Sequence, residues 1–307
     1  EIVSLSRDIA RARKLLPVGV NHYQWDALHE LPPLQAFQEA DGVVNLLGEP
    51  IFGRWTSAKK LLIYQSRVQA THNLAERLAS LNNHQLVLVS ASALGYYGDR
   101  KDAALDENET PGSDFLSKVC VDWEEEASSA SREHLDVSIL RFANVLSSTG
   151  GMLPILRKIY RLGLGAKIGS GEQWVPWVHV SDAVSALRFA LANPKIGIIN
   201  VVAPGILRQG QFSQMLGKSL NRKILTRVPG YPLKVVFGNI RGHVFMDLGA
   251  AWDSSDEFST NTWPSKYGSN NIGEYSPWVM TSGIGVKINL GYFLLRVESA
   301  WDRNPNG

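Results

Sequence analysis

Residues 86–99 read Leu86-Val87-Leu88-Val89-Ser90-Ala91-Ser92-Ala93-Leu94-Gly95-Tyr96-Tyr97-Gly98-Asp99. The first four form an unbroken apolar run, the pattern of a strand buried on both faces of a parallel sheet. A polar loop from Tyr97 to Asp114 follows, then a helix from Phe115 to about Glu133 and a strand over Val137–Phe142. Toward the N-terminus, Thr56-Ser57 caps a helix predicted to run to about Asn82, with Leu61, Leu62, Val68, Leu74 and Leu78 at helical spacing. Gly42–Leu47 is a buried strand ended by Gly48, and two further strands, Ile2–Leu5 and Val20–Trp25, flank a helix over Asp8–Leu16. Strands alternating with helices imply βαβ units and an α/β, doubly wound parallel sheet.

Beyond Gly150 the pattern becomes that of a smaller lobe interleaved with the sheet. Helices are predicted over Met152–Leu162, Asp182–Leu191 and Phe212–Leu220, with a strand over Ile196–Val202. After about Val228 the character changes again. His243–Trp252, Met280–Leu290 and Phe293–Trp301 each alternate apolar and polar residues, as antiparallel strands do. The expected division is therefore 1–228, a junction at 229–240, and a β-rich segment over 241–307.

Thirty-one basic against 29 acidic residues leave a net charge of +2, which argues against a nucleic-acid partner. One cysteine, Cys120, excludes an internal disulfide and fits a reducing, cytoplasmic setting for the first domain. No apolar run reaches the length of a transmembrane helix. The first methionine is Met152, well inside the domain, which suggests a fragment.

Several motifs occur in order. They are Val43-Val44-Asn45-Leu46-Leu47-Gly48-Glu49-Pro50-Ile51 with Arg54-Trp55-Thr56, Ser66-Arg67-Val68, and Val89 to Asp99. Gly163-Leu164-Gly165, Gly169-Ser170-Gly171-Glu172-Gln173-Trp174 and Trp177-Val178-His179-Val180-Ser181-Asp182 complete the set. Together they resemble the atypical, extended short-chain dehydrogenases/reductases of the NAD-dependent epimerase/dehydratase kind. The resemblance implies a Rossmann-type sheet, NADP(H) or NAD(H) binding, and an oxidoreductase or epimerase acting on a small, sugar-nucleotide-like substrate. Against it, Ile2–Ser6 matches the family's second strand, so the first strand and its glycine turn are expected to be lacking and cofactor binding weak or lost.

The resemblance assigns roles to particular residues. Arg7 would meet the 2′-phosphate of NADP, though a solvated surface arginine is the alternative. Asp26 would accept from the adenine amine, or else simply form a turn. Asn45, Leu46 and Gly48 would line the nicotinamide side, with Ser90 beside them. Ser92 occupies the place of a substrate-binding hydroxyl, a role Ser90 could also fill. The helix from Phe115 lacks the tyrosine of the usual Tyr-x-x-x-Lys pair, leaving Tyr97, four residues before Lys101, as the candidate proton carrier. His179 with Asp182 resembles the substrate-lobe motif, for which a packed histidine beside a helix-capping aspartate is the other reading.

The last strands resemble the closing hairpin of outer-membrane barrels of the surface-antigen type. A soluble meander is the alternative, and membrane contact is expected only if the segment belongs to a barrel. Either way its apolar faces predict self-association. The competing readings of the whole are a dehydrogenase or epimerase impaired by truncation, a barrel fragment, and a non-catalytic chimaera.

Overall fold

A computed structural model describes residues 2–51, 53, 55–81, 85–228, 285–289 and 294–298. The chain runs β1 (Val3–Ser6), α1 (Ile9–Leu15), β2 (Asn21–Gln24), β3 (Gly42–Asn45), α2 (Ser57–Gln65), α3 (Val68–Ala79), β4 (Leu86–Ala93), α4 (Phe115–Ser128) and β5 (Leu135–Phe142). It continues through β6 (Asn144–Leu146), α5 (Met152–Arg161), β7 (Ala166–Ile168), β8 (Trp174–Val175), β9 (Trp177–His179), α6 (Val180–Ala192), β10 (Ile198–Val201), β11 (Leu207–Arg208), α7 (Gln209–Ser219) and β12 (Leu225–Val228).

The central sheet has the order β10-β5-β4-β3, all parallel. Strand β4 explains why. Its even-numbered residues Leu86 and Leu88 pack with Leu74 and Leu78 of α3, while Val87 and Val89 pack with Ala183 and Ala190 of α6. Both faces are covered by helices, so the alternation of a half-exposed strand is absent.

The expected single sheet is divided. Strands β1 and β2 form a separate parallel pair, yet Leu5, Tyr23 and Trp25 join the same core as Leu88 and Leu135. Among the described residues, the edge of β1 away from β2 and that of β3 away from β4 carry no ladder.

The helix expected from Thr56 to Asn82 is two helices. Ser66 and Arg67 break it for a tertiary reason: the Ser66 hydroxyl accepts from Glu49 N–H (2.8 Å) and the Arg67 guanidinium donates to Glu49 O (3.0 Å). Leu61 and Leu62, placed by spacing on the buried face, are exposed. The helix from Phe115 stops at Ser128 instead of Glu133.

In the tail, β13 (Gly285–Asn289) and β14 (Leu294–Glu298) pair antiparallel with Ile288 opposite Leu295. A two-stranded hairpin belongs as readily to a soluble meander as to a barrel, so it lends the barrel resemblance no support. The strand expected over His243–Trp252 lies outside the described residues. No described helix is long and apolar enough to cross a membrane.

Candidate functional site

The carboxyl ends of β3, β4 and β5 lie side by side, with Asn45 opposite Ser90 and Ser92 opposite Arg141. Open parallel sheets bind ligands at this end. Asn45 is buried, and its amide donates to Thr71 Oγ1 (2.8 Å) and Ser90 Oγ (3.1 Å) while its carbonyl accepts from Leu47 N–H (3.2 Å). Trp123 Nε1 donates to the same threonine (2.9 Å). Asn45 thereby fixes where the chain turns out of the sheet, and the next residue, Leu46, is 59% exposed. A Cβ on Gly48 would stand 3.0 Å from the Arg67 guanidinium, so this glycine admits an arginine against the backbone.

Ser92 and Tyr97 belong to a second buried knot. The guanidinium of Arg141, 2% exposed, pairs through Nε and Nη2 with both oxygens of Glu124 (2.9 and 2.8 Å). Its Nη1 donates to Tyr97 Oη (2.8 Å) and to Glu107 O (3.2 Å), and the Tyr96 ring covers it at 3.5 Å. Ser92 Oγ donates to Glu124 Oε1, and Tyr97 Oη donates to Asn200 Oδ1 (2.7 Å). Burial pushes the Tyr97 phenol upward, opposed by Arg141 and Asn200. Lys101, its expected partner, is exposed in the loop at φ 52°. The two candidate catalytic hydroxyls thus face the α4 layer and are satisfied by protein groups.

Strand parity accounts for this. Residues 90 and 92 share the face of 86 and 88, which α3 and α4 cover. The sequence signal for the knot was Arg141 itself: an arginine inside a strand buried on both faces requires a carboxylate opposite it. Glu124, at mid-helix on the apolar side of α4, is that carboxylate.

Cys120 is buried in the same layer, where desolvation and then the nearby Glu124 charge push its thiol up to about 12. Thiolate, the reactive form, is therefore scarce. Iodoacetamide at pH 8 should leave Cys120 unlabelled in the native chain and alkylate it in urea, read by intact mass. Rapid native labelling would contradict the packing.

Arg7 and Asp26 meet beyond the ends of β1 and β2. Asp26 accepts from His29 (2.9 Å) and Leu28 N–H (3.2 Å), and these bonds, with the charge of Arg7, hold its carboxyl below the usual range. Arg7 is exposed.

In the small lobe, His179 caps α6 through Nδ1, accepting from Ser181 N–H (3.2 Å), so the histidine rather than Asp182 is the cap. Gly163–Gly165 joins α5 to β7 and Gly169 follows that strand; a Cβ on Gly165 would stand 2.5 Å from the Tyr160 ring. That run shapes a turn and a packing contact. Among the described residues no cluster of metal-ligating side chains forms.

Comparison with known proteins agrees with this fold. The chain is 37% identical over 233 residues to an epimerase family protein of Mycobacterium bovis, covering 75% of this chain and 76% of that one. A chloroplastic epimerase family protein of Arabidopsis thaliana is 37% identical over 204 residues, 66% of this chain and 58% of that one. The crystal structure of the human epimerase family protein SDR39U1 with NADPH superposes with a TM-score of 0.66 at 28% identity, covering 82% of this chain and 90% of that one. A UDP-glucuronic acid 4-epimerase of Bacillus cereus, solved with UDP-glucuronic acid and NAD, matches with a TM-score of 0.62 at 16% identity and shows the fold alone. Residues 1–202 match the NAD dependent epimerase/dehydratase family, to which this chain belongs.

Proposed function

We propose that the carboxyl end of the sheet is an NADP(H)-preferring site for oxidoreductase or epimerase chemistry on a small substrate. What supports this reading is that two sets of candidate residues follow the carboxyl ends of parallel strands that share one core. Arg7 and Asp26 lie beyond β1 and β2, and Asn45, Leu46 and Ser90 lie at the ends of β3 and β4. In this reading Arg7 takes the 2′-phosphate, Asp26 the adenine amine, and exposed Leu46 the nicotinamide side, where a bound cofactor supplies hydride. Asn45 and Ser90 act by holding the Leu46 turn. Ser92 and Tyr97 act through Glu124 and Arg141 as the floor of the cleft.

The donor set suits the adenosine end of the cofactor, and among the described residues we assign no glycine turn to the pyrophosphate. In our reading β1 and β3 flank the position of one further strand, which would carry that turn. The chain by itself is then a weak binder. Heat or fluorescence titration should give an NADPH dissociation constant above about 10 μM, less than some 7 kcal/mol of binding.

Whatever binding remains should favour NADP(H), because the two cofactors differ by a phosphate that a guanidinium clamps. Arg7→Ala should erase roughly tenfold of preference, about 1.4 kcal/mol, and leave NAD(H) binding unchanged. A preference that survives the substitution removes Arg7 from the site.

A further inference from the structure

The loop between β4 and α4 is held to its surroundings at its neck, middle and tip by contacts of very different strength. Its neck is two glycines in contact: Gly112 N–H donates to Tyr96 O (2.8 Å), and a Cβ on Gly98 would stand 2.8 Å from the Gly112 Cα. Within the loop Arg100 donates to Thr110 O and Oγ1 (both 2.7 Å), which reinforces the neck. Its middle is Glu107, whose backbone carbonyl accepts from buried Arg141 and whose Oε1 accepts from Asn200 N–H (2.7 Å). Its tip is Asp102. One oxygen of Asp102 accepts from Arg208 Nη2 (2.6 Å) and from Trp174 Nε1 (3.0 Å), and the guanidinium lies 3.7 Å from the Trp174 ring centroid.

Trp174 and Arg208 face each other across the β8–β11 pair of the small lobe. The tip therefore joins a loop that leaves the carboxyl end of β4 to the small lobe, at the end of the sheet where the site proposed above lies. The neck and middle are buried or backbone contacts, whereas the Asp102 side chain is 71% exposed. Exposed pairs are individually weak and salt-sensitive, so this is the anchor that releases first.

We propose that residues 99–106 are a strap over the cleft, latched by Asp102 to Arg208 and Trp174 and hinged at Gly98 and Glu107, which opens by releasing Asp102. Its role as a gate rests on the site proposed above; its motion does not. When the latch is broken the tip swings free while Glu107 keeps Arg141 sealed, so opening exposes the cleft without uncovering the buried ion pair.

Hydrogen exchange on the full chain, without cofactor, tests this separately from NADPH binding. Asp102→Asn and Arg208→Gln should each speed exchange across 99–106 by about three- to tenfold, leaving the amides of Gly112, Asn200 and β4 as protected as before. Salt at 1 M should speed the same amides in the wild type and have little effect in Asp102→Asn. Unchanged exchange in both variants overturns the proposal. So does a loss of protection that spreads into β4 and β5, because the trio would then be a general stability contact.

Discussion

Glu124→Ala is expected to cost the protein about 3–5 kcal/mol of stability, close to a third or more of what a domain possesses. The loss comes from what is left behind. Arg141 is 2% exposed, and without Glu124 its guanidinium keeps, among the described residues, only Tyr97 Oη and the Glu107 carbonyl as hydrogen-bond acceptors, under the Tyr96 ring, with no counter-charge. Ser92 loses its acceptor in the same step. Urea unfolding followed by near-UV circular dichroism gives the difference directly, and the melting temperature should fall by roughly 10 °C. The paired replacement Glu124→Leu with Arg141→Met should recover most of the loss, since a buried ion pair is worth little more than well-packed apolar groups. A single-variant cost under about 1 kcal/mol would mean that the guanidinium reaches water.

On the reading proposed above, supplying a pyrophosphate cradle should have an effect of similar size on binding. A segment of the form strand, G-x-G-x-x-G, helix, fused ahead of Glu1, is expected to tighten NADPH binding by about a hundredfold, ~2.8 kcal/mol. The edges of β1 and β3 that face away from their partners have no ladder among the described residues, so a parallel strand has donors and acceptors to meet. Its turn would then aim backbone N–H groups of a helix terminus at the cofactor. The fused chain should also melt higher, because β1–β2 and the central sheet would share hydrogen bonds as well as a core. A higher melt without tighter binding would keep the strand position and sink the cofactor assignment.

Much of this is legible in the sequence of residues 42–142. Apolar runs long enough only for strands, separated by capped amphipathic helices, fix parallel order. Asn45 and Ser90 could be placed at strand ends for the same reason. Pattern could not show what lies opposite a side chain. Ser92 and Tyr97 read as reactive hydroxyls because hydroxyl chemistry is carried by residue type, whereas their engagement with Glu124 and Asn200 depends on which helix covers that face. The break at Ser66-Arg67 was hidden likewise, since its cause is the backbone of Glu49, 17 residues earlier. Leu61 and Leu62 kept helical spacing but belong to the separate first helix, whose phase the second does not share. Arg141 is the instructive miss. Its position in an apolar strand was visible, and the demand for a buried carboxylate follows from charge alone.

The paired glycines at the neck of the 98–112 loop have a consequence for how such a protein can diversify. Because Gly98 and Gly112 touch at their Cα atoms, neither can acquire a side chain unless the neck opens. The span between them is free of that restriction. Closing a longer span through a fixed neck adds little entropy cost, about 0.6 kcal/mol per doubling of length. The neck and the Glu107 anchor together isolate the sheet from changes in residues 99–106, so that stretch behaves as an exchangeable cassette. Insertion or replacement there leaves β4 and the Glu124–Arg141 pair as they are.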